Sequence, residues 1–175
     1  MVNRIHIWCF FCFISFIFFP KPVLGFEFHD HPTKIIIPTL RISLPVSTSK
    51  VTYNTWEVSH NKASFGETTA VPGMDGNTVV FAHSMPHLFG DLPKIRKGDQ
   101  IYLFTDQDWF TYVVFDTYTV QPDDIKALSR KQGYELTLYT CVGKNYQQRF
   151  VVKARLTTTI LPHVNLEKQK LKSDL

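Results

Sequence analysis

The chain is poor in cysteine, and two of its three, Cys9 and Cys12, fall inside an apolar run near the start. That leaves Cys141 with no disulfide partner in the remainder, so a fold stapled by disulfides is excluded. A lone cysteine in an exported protein is either buried and inert or used for chemistry, because an idle exposed thiol is open to oxidation. Excess charge is lacking as well. Setting aside Arg4 and Lys21 of the N-terminal segment, the 19 basic residues become 17 against 15 acidic ones, a net of +2. That field is too mild to recruit nucleic acid. Paired metal-ligand spacing is missing: His29, Asp30 and His31 stand side by side, and Asp123 and Asp124 suit the first turn of a short helix. Neither a metal nor another cofactor is expected. No internal repeat occurs, and no helical pattern alternates regularly with strands, which disfavours a parallel βαβ sheet.

What the N-terminus does contain is an export signal. Arg4 precedes an apolar run over residues 7–19, broken only by Ser15, and Pro20, Lys21 and Pro22 end it. The run is shorter than the roughly 20 apolar residues of a full bilayer span. Residues 1–25 are therefore expected to act as a signal peptide cut after Gly25 or as a retained N-terminal membrane anchor. Either places the protein at the extracytoplasmic face of the membrane or secretes it. Residues 26–34 read as a linker, 35–162 as one catalytic domain, and 163–175, with Lys168, Lys170 and Lys172, as a flexible basic tail.

Within the domain the dominant period is two. In IIIPTLRISLPV, from Ile35, Leu40, Ile42 and Leu44 alternate with Thr39, Arg41 and Ser43, as in a strand with one buried face. NTVVFAH follows the turn cluster PGMDGN, whose glycines suit unusual backbone angles. QIYLFTD and WFTYVVFDTYTV are joined through Asp106, Gln107 and Asp108 as a hairpin, and YELTLYT and RFVVKARLTTTI form the last pair. Between these pairs PDDIKALSRKQG reads as one short helix, with Pro122 and Asp123 at its start and Gly133 at its end. A small antiparallel all-β barrel is the expected fold class.

Three side chains at strand ends carry chemistry. Acyl transfer by cysteine needs a thiol, a proton carrier within reach and a group that holds the oxyanion. Cys141 ends the run from Tyr134 and is followed at once by the polar loop GKNYQQ. His83 ends the run from Asn77 and is followed by Ser84, Met85 and Pro86, which cannot extend the strand; imidazole is the natural proton carrier near neutral pH. His87 lies within the loop, where its position is less controlled. Arg149 opens the final strand, so the intervening loop lets its guanidinium fold back toward Cys141.

Thr137-Leu138-Tyr139-Thr140-Cys141 resembles the sortase signature of Thr-Leu, any residue, Thr-Cys. PGMDGNTVVFAHS resembles that family's turn, strand and histidine, with Ala82 where many members place Gly, and RFVVKARL resembles the strand that carries its arginine. IPTLRISLPV and FGDLPKIRKGDQIYLF resemble further family segments in order and spacing. The resemblance implies a closed eight-stranded β-barrel with one or two short helices. It also implies a cysteine transpeptidase that cleaves a Leu-Pro-any-Thr-Gly-like sorting motif. Cys141 would be the nucleophile, His83 the general acid/base, Arg149 the clamp on the carbonyl, and Thr140 and Ala82 would border the bound substrate. The implied partners are proteins bearing the motif and an amine of a cell-wall precursor or pilin, with the membrane reached through the N-terminal segment.

Two other classes fit parts of the pattern. A Cys-His peptidase that releases its product to water would use the same residues. An exported binding module would instead use Tyr112, Phe115 and Tyr118 as a ligand face, although Phe110, Tyr112 and Val114 share one strand face that reads as core. Loss of Cys141 separates the classes, since a binder tolerates it. No carboxylate stands where it would orient His83, so no Cys-His-Asp triad is expected; Asp75 suits a turn.

Overall fold

The computed structural model describes residues 30–53, 55–129 and 132–160. The export segment and the basic tail lie outside them. Among the described residues ten strands form: β1 Lys34–Ile37, β2 Ile42–Ser49, β3 Val51–Thr52, β4 Thr55–Trp56, β5 Ala63–Gly66, β6 Gly76–Phe81, β7 Gln100–Phe104, β8 Trp109–Val120, β9 Tyr134–Val142 and β10 Gln148–Ile160. Eight of them close a barrel in the order β1-β2-β5-β6-β9-β10-β8-β7, and β3 pairs with β4 as a separate small hairpin. Closure leaves no barrel edge unpaired. Among the described residues no helix is long and apolar enough to cross a membrane.

The alternation seen in the sequence sets what faces inward. Ile35, Ile37, Ile42, Leu44, Val80, Leu103, Leu136, Leu138 and Val152 fill the interior. Phe110, Tyr112 and Val114 are buried with them, whereas the Phe115 ring lies outside beneath the Arg155 guanidinium, 4.8 Å from its centroid. A register shift that pairs Lys153 with Asp116 and Ala154 with Val114 leaves Phe115 unpaired, so the aromatic residues do not form one ligand face. Gly73 is needed where it stands: its φ is +80°, and a Cβ there would lie 2.3 Å from the Phe110 ring.

Three local readings change. The run from Ile35 is two strands, because Pro38–Leu40 makes a 3₁₀ turn and Arg41 adopts φ 54°, folding β2 back antiparallel on β1. The barrel is not purely antiparallel: β2 runs parallel to β5, and β6 parallel to β9. The short helix expected over 122–133 is a single 3₁₀ turn, Ile125–Leu128, opened by the Asp124 carboxylate accepting from Lys126 N. The carbonyls of Ala127, Leu128 and Ser129 accept instead from Asn77 Nδ2 on β6. Tertiary hydrogen bonds thus take the acceptors that a longer helix would have used.

Candidate functional site

Strand register brings the three candidate side chains together. On the parallel pair, Val80 stands beside Leu138 and Phe81 beside Tyr139. His83 and Cys141 each lie two residues further on, so they leave neighbouring strand ends at one level, with strands spaced by about 4.8 Å. The contact continues past the ladder, since Ala82 N donates to Tyr139 O at 3.3 Å and Thr140 Oγ1 to Ala82 O at 2.9 Å. On the other side of β9, Arg149 of β10 is the antiparallel partner of Cys141 itself. The row therefore runs His83, Cys141, Arg149, with the thiol in the middle.

Alternation turns this row outward. Leu138 and Thr140 face the barrel interior, so Tyr139 and Cys141 face away from it; Phe81 at the end of β6 and His83 two residues past it do the same. The outward face floors a groove of about 880 Å³, which Cys141, His83 and Arg149 all line. One side is built by the β3–β4 hairpin and the segment after it, which contribute Val51, Trp56 and Val58; the other is Pro122 and residues of the 3₁₀ turn. Trp56 is stacked on Phe81, 5.4 Å between centroids and 18° apart, and covers Gly66, where a Cβ would meet its ring at 2.7 Å.

Among the described residues the charged groups lining the groove are cationic, Lys126 and Arg149, beside the titratable His83; no carboxylate lines it. His83 Nε2 is buried without a protein partner, and its ring stacks on that of His60, 5.4 Å away at 19°. Arg149 Nη1 donates to Tyr146 O at 2.8 Å and Gln148 O at 3.1 Å, which braces the guanidinium against the loop after Cys141. Burial pushes the Tyr139 phenol above its ordinary value against the pull of Arg149, so it stays a neutral hydroxyl near pH 7. Cys141 is free and half-buried. It stands between the His83 imidazole on one neighbouring strand end and the Arg149 guanidinium on the other.

A sortase domain model matches residues 35–157. The chain belongs to the sortase family. It is 32% identical over 130 residues to sortase A of Bacillus anthracis, a match spanning 72% of this chain and 60% of that one. With sortase A of Streptococcus agalactiae it shares 28% over 132 residues, 71% of this chain and 52% of the relative. Thus the match spans less than two thirds of these curated relatives. Among solved structures, Listeria monocytogenes sortase A superposes with a TM-score of 0.65 at 26% identity, covering 80% of this chain and 95% of that one. A pilus-related sortase C of Group B Streptococcus gives 0.64 at 27%, covering 75% and 70%. The closed eight-stranded barrel is the sortase fold.

Several features of this sortase-family site were not visible in sequence. Trp56 and His60 reach it from segments in which no motif was found. Tyr139 had a signal, as the unspecified position of the Thr-Leu-any-Thr-Cys run. Ala82 and Thr140 border the groove but are 5% and 2% exposed, their side chains belonging to the barrel interior. His87 is exposed in the loop and does not line the groove.

Proposed function

We propose that the protein is a sortase-type cysteine transpeptidase that cleaves a Leu-Pro-any-Thr-Gly-like sorting motif and joins the new carboxyl end to an amine. The Cys141 thiolate attacks the threonine carbonyl carbon, and Arg149 donates hydrogen bonds to the developing oxyanion. Collapse of the tetrahedral species breaks the Thr–Gly C–N bond. The departing amine takes a proton from His83, which leaves a thioester on Cys141. An amine of a cell-wall precursor or pilin then attacks the thioester and gives a proton to His83, and sulfur leaves as thiolate. Ala82 and Thr140 hold the floor on which the motif lies. Residues 1–25 export the protein or hold it at the outer face of the membrane, and 35–162 act as the catalytic domain.

The observation that carries this reading is the row of His83, Cys141 and Arg149 on three adjacent strand ends, at the floor of a largely apolar groove. An extended peptide fits such a groove, with its carbonyl delivered to the middle of the row. The test is mass spectrometry of the full chain incubated with a library of Leu-Pro-any-Thr-Gly-type peptides, with and without an amine acceptor. The expected result is a thioester adduct on Cys141 and an amine-dependent ligated product, both lost in Cys141→Ala. Cleavage that ignores the amine would reassign the protein as a hydrolase. No adduct and no cleavage across the library would overturn the enzymatic reading.

A further inference from the structure

Below the row, on the same outward face of β6, β9 and β10, lies a polar cluster sealed from solvent. Lys153 is 2% exposed, Asn77 3% and Thr137 0%. Lys153 Nζ donates to Thr137 Oγ1 at 2.7 Å and to Ala127 O at 2.9 Å, and stands 3.5 Å from Glu135 Oε2. Thr137 Oγ1 donates onward to Asn77 Oδ1 at 2.6 Å. Asn77 Nδ2 in turn serves the carbonyls of Ala127, Leu128 and Ser129 at 3.3 to 3.4 Å. Asn77 of β6 and Lys153 of β10 are thus tied to one short stretch of backbone, and Thr137 of β9 links the two.

That stretch is the groove wall. Ile125, Lys126, Leu128 and Ser129 line the groove, and buried Ala127 between them is the point that Lys153 holds. Burying an ammonium is costly, and well-packed apolar side chains would serve stability as well or better. What a cation adds is a strong, directional grip on a carbonyl in a segment with only one 3₁₀ turn of its own. Thr137 precedes Cys141 by four residues on one strand, about 13 Å, so the cluster does not touch the reacting atoms.

We propose that Lys153 is a positioning residue that pins the 125–129 wall from behind and thereby sets the affinity for the peptide, leaving the chemistry at Cys141 alone. The proposal deepens the reading of the groove as a peptide site and rests on it. The test uses the full chain with Lys153→Met, which keeps the stem and removes the donors. Hydrogen exchange at the amides of residues 125–129 should quicken at least about tenfold, and KM for a cleaved peptide should rise about ten- to hundredfold. Both kcat and the rate of Cys141 alkylation by iodoacetamide should stay within about threefold. If Lys153→Met fails to fold, Thr137→Val removes one link and should give the same split, several-fold in size. Unchanged exchange, or a fall in kcat with KM unmoved, overturns the proposal. Faster exchange in the variant, with no peptide turned over by the parent chain, would sink the peptide reading of the groove and the affinity claim while leaving the pinning intact.

Discussion

Thr140 offers the sharpest test of how the barrel holds its site, because its hydroxyl joins the strand end of His83 to that of Cys141. The bond to Ala82 O is 2.9 Å long, and both residues are nearly inaccessible. Thr140→Val keeps the shape and the methyl group but removes the donor, leaving a buried carbonyl without that partner. The expected loss is about 1–3 kcal/mol of folding stability, reduced somewhat by the added apolar surface. Past the β6–β9 ladder, among the described residues, only the 3.3 Å hydrogen bond from Ala82 N to Tyr139 O would then remain between these two strand ends to fix the spacing of imidazole and sulfur. A misplacement of about 1 Å can cost a hundredfold in rate, so kcat/KM for peptide cleavage should drop by roughly ten- to a hundredfold. Thr140→Ser is the control: it keeps the hydroxyl and loses a methyl, costing about 1 kcal/mol of stability but little rate. Urea unfolding followed by tryptophan fluorescence, run beside peptide kinetics, reads both quantities. A valine variant with parental kcat/KM, or a serine variant that is the slower of the two, would refute the reasoning.

Further outcomes follow from other contacts. Arg149→Lys should lower kcat/KM at least about tenfold with folding intact by circular dichroism, because an ammonium cannot brace against the Tyr146 and Gln148 carbonyls and still reach the substrate as a planar fork does. Gly66→Ala places a Cβ 2.7 Å from the Trp56 ring and should displace it. The expected signs are a shifted tryptophan emission, a raised KM and a stability loss of about 1–3 kcal/mol. Burial pushes the Tyr112 phenol up to about 12, against the hydrogen bond from Gly73 N. The folded state therefore holds this proton more tightly than the unfolded chain, and the resulting stability, present below about pH 10, is lost as pH rises through the folded value. That contribution is on the order of 2–3 kcal/mol. Tyr112→Phe should flatten stability between pH 10 and 12, and an unchanged slope would assign the alkaline loss to other groups.

Much of the barrel was legible: β2 is half-buried and writes period two into its side chains, while β6, β9 and β10 are β-branched and aromatic runs bounded by turn residues. Where burial is two-sided the alternation vanishes, and a short strand without such a run carries no signal. All four residues of β5, Ala63–Gly66, are buried, so ASFG shows no alternation and was not seen as a strand. The 122–133 segment misled for a different reason: Pro122, Asp123 and Gly133 are sound helix punctuation, but Asn77 and Lys153, distant in sequence, claim its carbonyls. Asp75 lies in the bend before β6, the place expected of it, and its carboxylate also accepts from Gly133 N at 2.7 Å, a tie to a distant segment that local turn chemistry does not announce.

By itself the sequence determined which side chains stand at strand ends and which sides of the strands are apolar, because both follow from local alternation and turn chemistry. It therefore placed Cys141, His83 and Arg149 at the mouths of loops. Only the tertiary structure decided that these three form one row. The parallel pairing of β6 with β9 joins segments 58 residues apart, and no local rule sets the register of such a pair. The groove walls were likewise decided by the fold, since Trp56 and the 125–129 segment acquire their positions from stacking on Phe81 and from a buried ammonium on another strand.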